Sequence, residues 1–496
     1  MAKQTSSSKN ISSINVRMYR GGTGDFFILQ FKIDEKVSFQ LMIDCGCIHG
    51  SKAYFKERVE DLKTYTGGTI DLLVVTHEHA DHINGFQKAA AIFKQITFKK
   101  VWFAWTEDED NPLANDFRKN RSELDKALKI AVSKLEGLMN QNYYETLYAN
   151  EHNGEAIFKG KKHFVESLDA IDALNEVGRL HLKTGKPKPT MVTLLKEFNV
   201  IKEGTEVEFL EPGEVKIDIP GAPGIRFYVL GPPKDAKYLN RTDGEDGNYE
   251  KREEKSNVDF ALVSALAAFD ASDNSNILPF DSTYEKGMES ESLSIKKTYD
   301  IGGDWRKIDH DWLYSSGGLA MRYETSINNT SLALAIQFEK SEKVLLFPGD
   351  AEFGNWDSWH DGLEWPVIID GITEQKNAEY LLNNTVFYKV GHHLSQNGTA
   401  KGKGIEMMTS NDLTAFGTLD FRKINSGWLN TMPNDLLCSE LIHRTKGKFY
   451  LEGEWPKILK NIKTDRVTIK RAHETTLIDV NKPFDGKLFI QCEIAG

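Results

Sequence analysis

The sequence predicts an α+β fold, and three observations carry that expectation. Runs rich in β-branched and aromatic residues recur in two separated regions, at residues 14–20, 26–31 and 38–43 and again at 331–338 and 343–347. Between these regions Leu124, Leu128, Ala131, Leu135 and Leu138 follow one another at three- and four-residue steps, which is the apolar stripe of a helix. The chain of 496 residues is 40% apolar and 27% charged, enough to bury a large core, so disordered, collagen-like and small disulfide-framework classes are excluded.

The elements follow in order. Residues 1–13 are Ser-rich and polar and read as a disordered tail without the apolar core of a secretory signal. Residues 14–104 open as a meander whose first turn is Gly21-Gly22-Thr23-Gly24-Asp25, a tight hairpin lacking the helix and lysine of a phosphate loop. The run Ile70-Asp71-Leu72-Leu73-Val74-Val75 has the length of a strand covered on both faces, and a histidine-rich segment follows it directly. Residues 105–199 read as a helical insertion with basic groups at Arg118, Lys119, Arg121, Lys159, Lys161, Lys162, Lys183, Lys186 and Lys188. Residues 200–405 return to strands at 207–210, 215–219 and 225–230, with a charged, apolar-poor excursion over 234–257. A hairpin then leads into Pro348-Gly349-Asp350, and a strand at 385–390 ends at Gly391-His392-His393. Residues 406–496 form a C-terminal extension that completes or flanks the sheets. Its basic run, Lys457, Lys460, Lys463, Arg466, Lys470 and Arg471, fits either a groove for a phosphate backbone or a solvated edge strand.

Lys plus Arg number 62 against 73 Asp plus Glu, a formal net charge of −11, so any polyanion contact has to be local. The longest apolar run, 260–269, is too short to span a bilayer, and no membrane partner is expected. Four cysteines, Cys45, Cys47, Cys438 and Cys492, are too few for a disulfide framework and read as reduced buried thiols in a cytoplasmic protein.

The densest chemistry lies in His77-Glu78-His79-Ala80-Asp81-His82. On an extended segment His77 and His79 point the same way, and a carboxylate and a third imidazole follow at once. Neutral imidazole together with carboxylate is the donor set preferred by zinc, iron and manganese. A metal in such a site acidifies a water toward neutral pH, so no protein nucleophile is needed.

This segment resembles the signature of the metallo-β-lactamase fold. The similarity extends to Gly22-Thr23-Gly24-Asp25, Ile43-Asp44-Cys45-Gly46, Asn328 to Leu334, Leu346 to Glu352 and Lys389 to Ser395, in the order and spacing of the ComEC/Rec2-like branch. The resemblance implies a four-layer αββα sandwich holding one or two divalent ions, zinc or else manganese or magnesium. It implies His77 and His79 as ligands of the first ion, Asp81 and His82 of the second, Asp350 as a bridge and His392 as the last ligand of the second site. A third histidine for the first ion has no counterpart. His310 is the nearest upstream histidine to Asp350 and stands in an irregular stretch. Asp81, Asp350 and His393 are the candidate catalytic residues, His393 as a proton shuttle or a group that orients its neighbours. Lys389, Ser395 and Asn397 flank the last ligand, either as candidate substrate contacts or in a packing or turn role.

Three functions are compatible with these residues. The first is a metal-dependent hydrolase of phosphodiesters, a nuclease or nucleotide phosphodiesterase, with single-stranded nucleic acid or a nucleotide as substrate. The second is hydrolysis of an amide, ester or thioester by the same site, since a fold does not fix a substrate. The third is a sensor or effector subunit of a defence or regulatory complex, with a protein partner bound through the helical insertion.

Overall fold

A computed structural model describes residues 9–121, 189–241, 247–248, 325–369, 372–420, 432–452, 484–485 and 488–496. The helical stripe over 122–138, the basic groups from Lys159 to Lys188, His310 and the basic run from Lys457 to Arg471 lie outside the described residues. The chain divides into two compact units, of which Met1–Phe117, Glu176–Glu253 and Thr325–Gly496 form the first and Arg118–Asn175 with Glu254–Glu324 the second. The fold below is that of the first unit.

It is a mixed α/β architecture built on two large sheets. The antiparallel meander of β1 (Ser13–Tyr19), β2 (Phe27–Ile33) and β3 (Lys36–Ile43) starts an eight-stranded sheet. To β3 the parallel strands β4 (Thr69–Val74), β5 (Thr97–Ala104) and β6 (Glu206–Leu210) are added in turn. The second sheet has seven strands, among them β7 (Val215–Lys216), β8 (Ile225–Val229), β9 (Leu334–Phe338) and β10 (Val344–Phe347) in antiparallel succession. A separate hairpin, β11 (Glu364–Ile369) and β12 (Ile372–Asn377), precedes β13 (Thr385–Lys389), which pairs parallel to β10. Then β14 (Thr414–Gly417) and β15 (Phe449–Leu451) extend the second sheet, while β16 (Phe484–Asp485) and β17 (Phe489–Ala495) return to the first, β17 lying antiparallel to β1.

Alternation along the strands decides which core each side chain joins. Val16, Leu29, Leu41 and Val74 of the first sheet share one buried cluster with Phe227, Ile336, Leu345 and Phe387 of the second. The opposite face of the first sheet, with Ile28, Met42 and Leu73, packs on Phe55, Val59 and Leu62 of helix α1 (Lys52–Thr66) and on Ile83 and Phe86 of helix α2 (Ala80–Lys88). The opposite face of the second sheet, with Tyr228, Val344 and Tyr388, packs on Trp356 and Trp359 of helix Phe353–Trp359, Leu381 of helix Ala378–Asn383 and Leu441 of helix Asp435–Arg444. Helix α1 carries β3 over to the parallel strand β4. Ser51 caps its start by accepting the Tyr54 N–H, and Gly67 ends it at φ 65°, the left-handed region that glycine enters without a steric cost.

Two stretches depart from the sequence reading. Strand β7 stops at Lys216 because Asp218 takes φ 54° and Pro220 follows, so Ile217 is left exposed rather than paired. Ile11, assigned to the tail, is 5% exposed and its N–H bonds the Pro223 carbonyl. None of the four cysteines is in a disulfide, and all four are buried. Among the described residues no helix is long and apolar enough to cross a membrane.

Candidate metal centre

The histidine-rich segment begins where β4 ends. His77-Glu78-His79 leaves the strand extended, with His79 at φ −63° and ψ 147°, and α2 starts at Ala80. Asp81 and His82 thus lie in the first turn of a helix, where the Asp81 carboxylate is favoured by the free N–H groups. The loop after β3 and the turn between β1 and β2 lie directly against this turn: Cys45 N–H bonds His82 O at 2.7 Å and Asp25 N–H bonds Asp81 O at 3.1 Å. A Cβ at Gly46 would stand 2.0 Å from the Asp81 carbonyl, so only glycine permits the approach. From the second sheet, the ends of the parallel strands β10 and β13 deliver Asp350 and His393.

These elements bring Asp81, His82, Asp350 and His393 together as a buried group whose ligand atoms all lie within 4.8 Å of one another, and which could hold a metal ion. His393 Nε2 is 3.0 Å from both Asp81 Oδ2 and Asp350 Oδ2. His82 Nε2 is 3.0 Å from Asp350 Oδ2. The far nitrogens are held as well: His82 Nδ1 is 2.8 Å from Asp44 Oδ2, and His393 Nδ1 is 2.9 Å from Thr418 O. A ligand imidazole is oriented in this way, by the partner of its other nitrogen.

The charges show the same fit. Burial disfavours charge on His82 and His393, yet Asp350 and Asp81 outweigh it, raising His82 well above the usual imidazole range and pushing His393 up to about 10. Burial alone would raise Asp350, but His393, Lys389 and His82 hold it well below the carboxylate range. The two imidazolium rings therefore occupy the electrostatic role of a cation among carboxylates. Asp81 Oδ1 is buried and has no hydrogen-bond partner, a ligand atom without a use inside the protein. The donor set of two imidazoles and two carboxylates suits zinc or manganese.

His77 and His79 stand beside this group rather than within it. His77 Nε2 and His79 Nδ1 are 3.0 Å apart, and the His77 ring centroid is 4.1 Å from that of His82. Burial chiefly lowers both, His77 well below its ordinary range and His79 to about 3, so both are neutral, the form that ligates. Thr76 Oγ1 at 3.0 Å and Ser331 Oγ at 3.3 Å hold His77 Nδ1.

The structure brings His393, not His392, into the four-residue group. Residues 392, 393 and 394 take φ of 41°, 47° and 65°, left-handed values that are rare for side chains of this size, and this twist separates the two rings. His392 turns toward Glu352, with Nδ1 3.4 Å from Oε1, and toward Asn328 Nδ2 at 3.3 Å. Lys389 is also placed differently from a substrate contact. It is buried, and its ammonium meets Asp25 Oδ2 at 2.6 Å, Gly349 O at 2.8 Å and Asp350 Oδ1 at 3.0 Å. Ser395 and Asn397 are buried against each other, Ser395 Oγ donating to Asn397 Oδ1 at 2.7 Å.

Asp44, Asp25, Thr76 and Thr418 were not singled out as functional in the sequence. For Asp44 a signal existed, a carboxylate placed directly after an apolar strand. Asp25 stands in a glycine turn that is readable only as a hairpin, and Thr418 carries no signal. No family model and no curated protein matches this chain.

Proposed function

We propose that the protein is a metal-dependent hydrolase of the metallo-β-lactamase fold, acting on phosphodiester bonds. The buried group of Asp81, His82, Asp350 and His393 carries this reading. The layering supports the αββα sandwich, since one core lies between the sheets and helices cover both outer faces. Those four residues would hold one ion, and His77 with His79 would hold a second, weaker one. When bound, a divalent ion here supplies Lewis acidity and an acidified water. The chain's own residues perform the remaining tasks. Asp44 and Thr418 fix the ligand imidazoles through their far nitrogens. His392, facing Glu352, is the group beside the centre that can exchange a proton with a leaving oxygen. The substrate in this reading is a nucleotide or single-stranded nucleic acid in the cytoplasm.

The test is hydrolysis of bis-p-nitrophenyl phosphate with Mn²⁺ or Zn²⁺ by wild type and by Asp350→Asn. The variant keeps the shape of the side chain and loses the charge that faces Lys389 and both imidazoles, so activity should fall by at least about a thousandfold in a chain that still folds but melts at a lower temperature. Wild-type turnover in Asp350→Asn would overturn the assignment. Wild type that cleaves acyl esters and leaves phosphodiesters intact would replace the substrate class and keep the site.

A further inference from the structure

Lys389 makes three polar contacts, and all of them are oxygens: a carboxylate oxygen of Asp25, the Gly349 carbonyl and Asp350 Oδ1. An ammonium group has three N–H donors, so this set uses it completely. Lys389 and both carboxylates are at most 1% exposed, so each charge is out of water and depends on the others. Asp25 Oδ1 has no hydrogen-bond partner, leaving spare acceptor capacity turned away from the solvent. Gly349 adopts φ 60° as the chain turns between β10 and Asp350.

We infer that Asp25 Oδ2, Gly349 O and Asp350 Oδ1 form a cage for a monovalent cation of ammonium size, and that the Lys389 side chain is its tethered occupant. Oxygen-only donors, one of them a backbone carbonyl, at 2.6 to 3.0 Å suit an ammonium or a potassium ion, which have similar radii. The distances are too long for magnesium, which requires about 2.0–2.1 Å. The occupant has a consequence for the neighbouring centre. With Oδ1 committed to Lys389, Asp350 presents only Oδ2 to His82 and His393. A side chain that cannot dissociate keeps that orientation at any salt concentration.

The experiment compares wild type, Lys389→Ala and the double variant Asp25→Asn/Lys389→Ala in excess chelator, so its outcome is independent of the divalent centre. Melting temperature is measured in tetramethylammonium chloride and in KCl at equal ionic strength. Lys389→Ala should melt higher in KCl by at least about 2 °C, because K⁺ binds the folded cage and not the unfolded chain. Wild type, whose cage is filled, and the double variant, which lacks one carboxylate, should show no such difference. A Lys389→Ala chain that folds only in KCl is the same result in a stronger form. Equal melting in the two salts, a KCl response shared by the double variant, or a Lys389→Ala chain unfolded in both salts would each overturn the cage.

Discussion

His82 Nδ1 lies 2.8 Å from Asp44 Oδ2, and the same carboxylate accepts the Thr76 N–H on Oδ1 at 2.8 Å and the Thr76 hydroxyl on Oδ2 at 2.6 Å. Asp44 thus ties the end of β3 to the start of the histidine segment and requires a proton on His82 Nδ1, which leaves Nε2 free to ligate. Asp44→Asn can still accept from Thr76 through its oxygen but offers an N–H toward His82. The expected result is a 10- to 100-fold loss of Zn²⁺ affinity, about the usual cost of removing an orienting partner, with the ligands themselves intact. Isothermal titration of the chelated protein measures it, and unchanged affinity would mean that Asp44 holds the backbone alone.

Much of the candidate centre was legible because its residues cluster in the chain and stand where strands end. His77, His79, Asp81 and His82 fall in one short segment after an apolar run, and Asp350 follows Pro348-Gly349 at the end of another. The choice between His392 and His393 was not legible. It depends on consecutive left-handed residues at 392 to 394, and neither histidine nor leucine announces such a backbone. The partners of Lys389 were not legible for a related reason: a lysine beside a ligand fits an anion contact or a packing role, and here the anions are Asp25 and Asp350 of the protein itself. Strands β14 and β15 were missed because they are short, Thr414–Gly417 and Phe449–Leu451, whereas the alternation Ile490-Gln491-Cys492-Glu493-Ile494 in β17 is a strand signal that the reading of a C-terminal extension left unused.

The charges of the metal-free centre predict a dependence of stability on pH. His393 rises from the ordinary 6.5 to about 10 on folding, despite its burial, because Asp350 and Asp81 face it. Its contribution is therefore complete below pH 6.5 and is lost as the pH rises through about 10. Asp350 and Asp81 are shifted downward, burial being outweighed by the neighbouring imidazoles and, for Asp350, Lys389, so their contribution is complete above 3.8 and is lost at more acid pH. Chelated protein should lose melting temperature steadily between pH 7 and 10. Zn²⁺-loaded protein should not, since an imidazole that ligates has already given up its proton. Parallel melting curves for the two forms across that range would show that His393 is not charged in the metal-free fold.

His392 and His393 separate most clearly by metal content. His393 Nε2 faces Asp81 and Asp350 and its Nδ1 is anchored on Thr418, whereas His392 faces Glu352 and Asn328. His393→Ala removes one of four donors and should weaken Zn²⁺ binding by more than about 100-fold, beyond what loss of an orienting partner costs. His392→Ala leaves the four donors in place, so zinc per chain after gel filtration should equal that of wild type. If His392 exchanges a proton during hydrolysis, its loss should reduce kcat by about 10²–10⁴-fold and flatten one limb of the pH–rate profile, leaving KM nearly unchanged. Adding imidazole should then restore part of the rate in His392→Ala, which a purely structural histidine would not allow. Loss of zinc from His392→Ala with retention in His393→Ala would exchange the two roles and show that the twist at 392 to 394 relaxes when the ion binds.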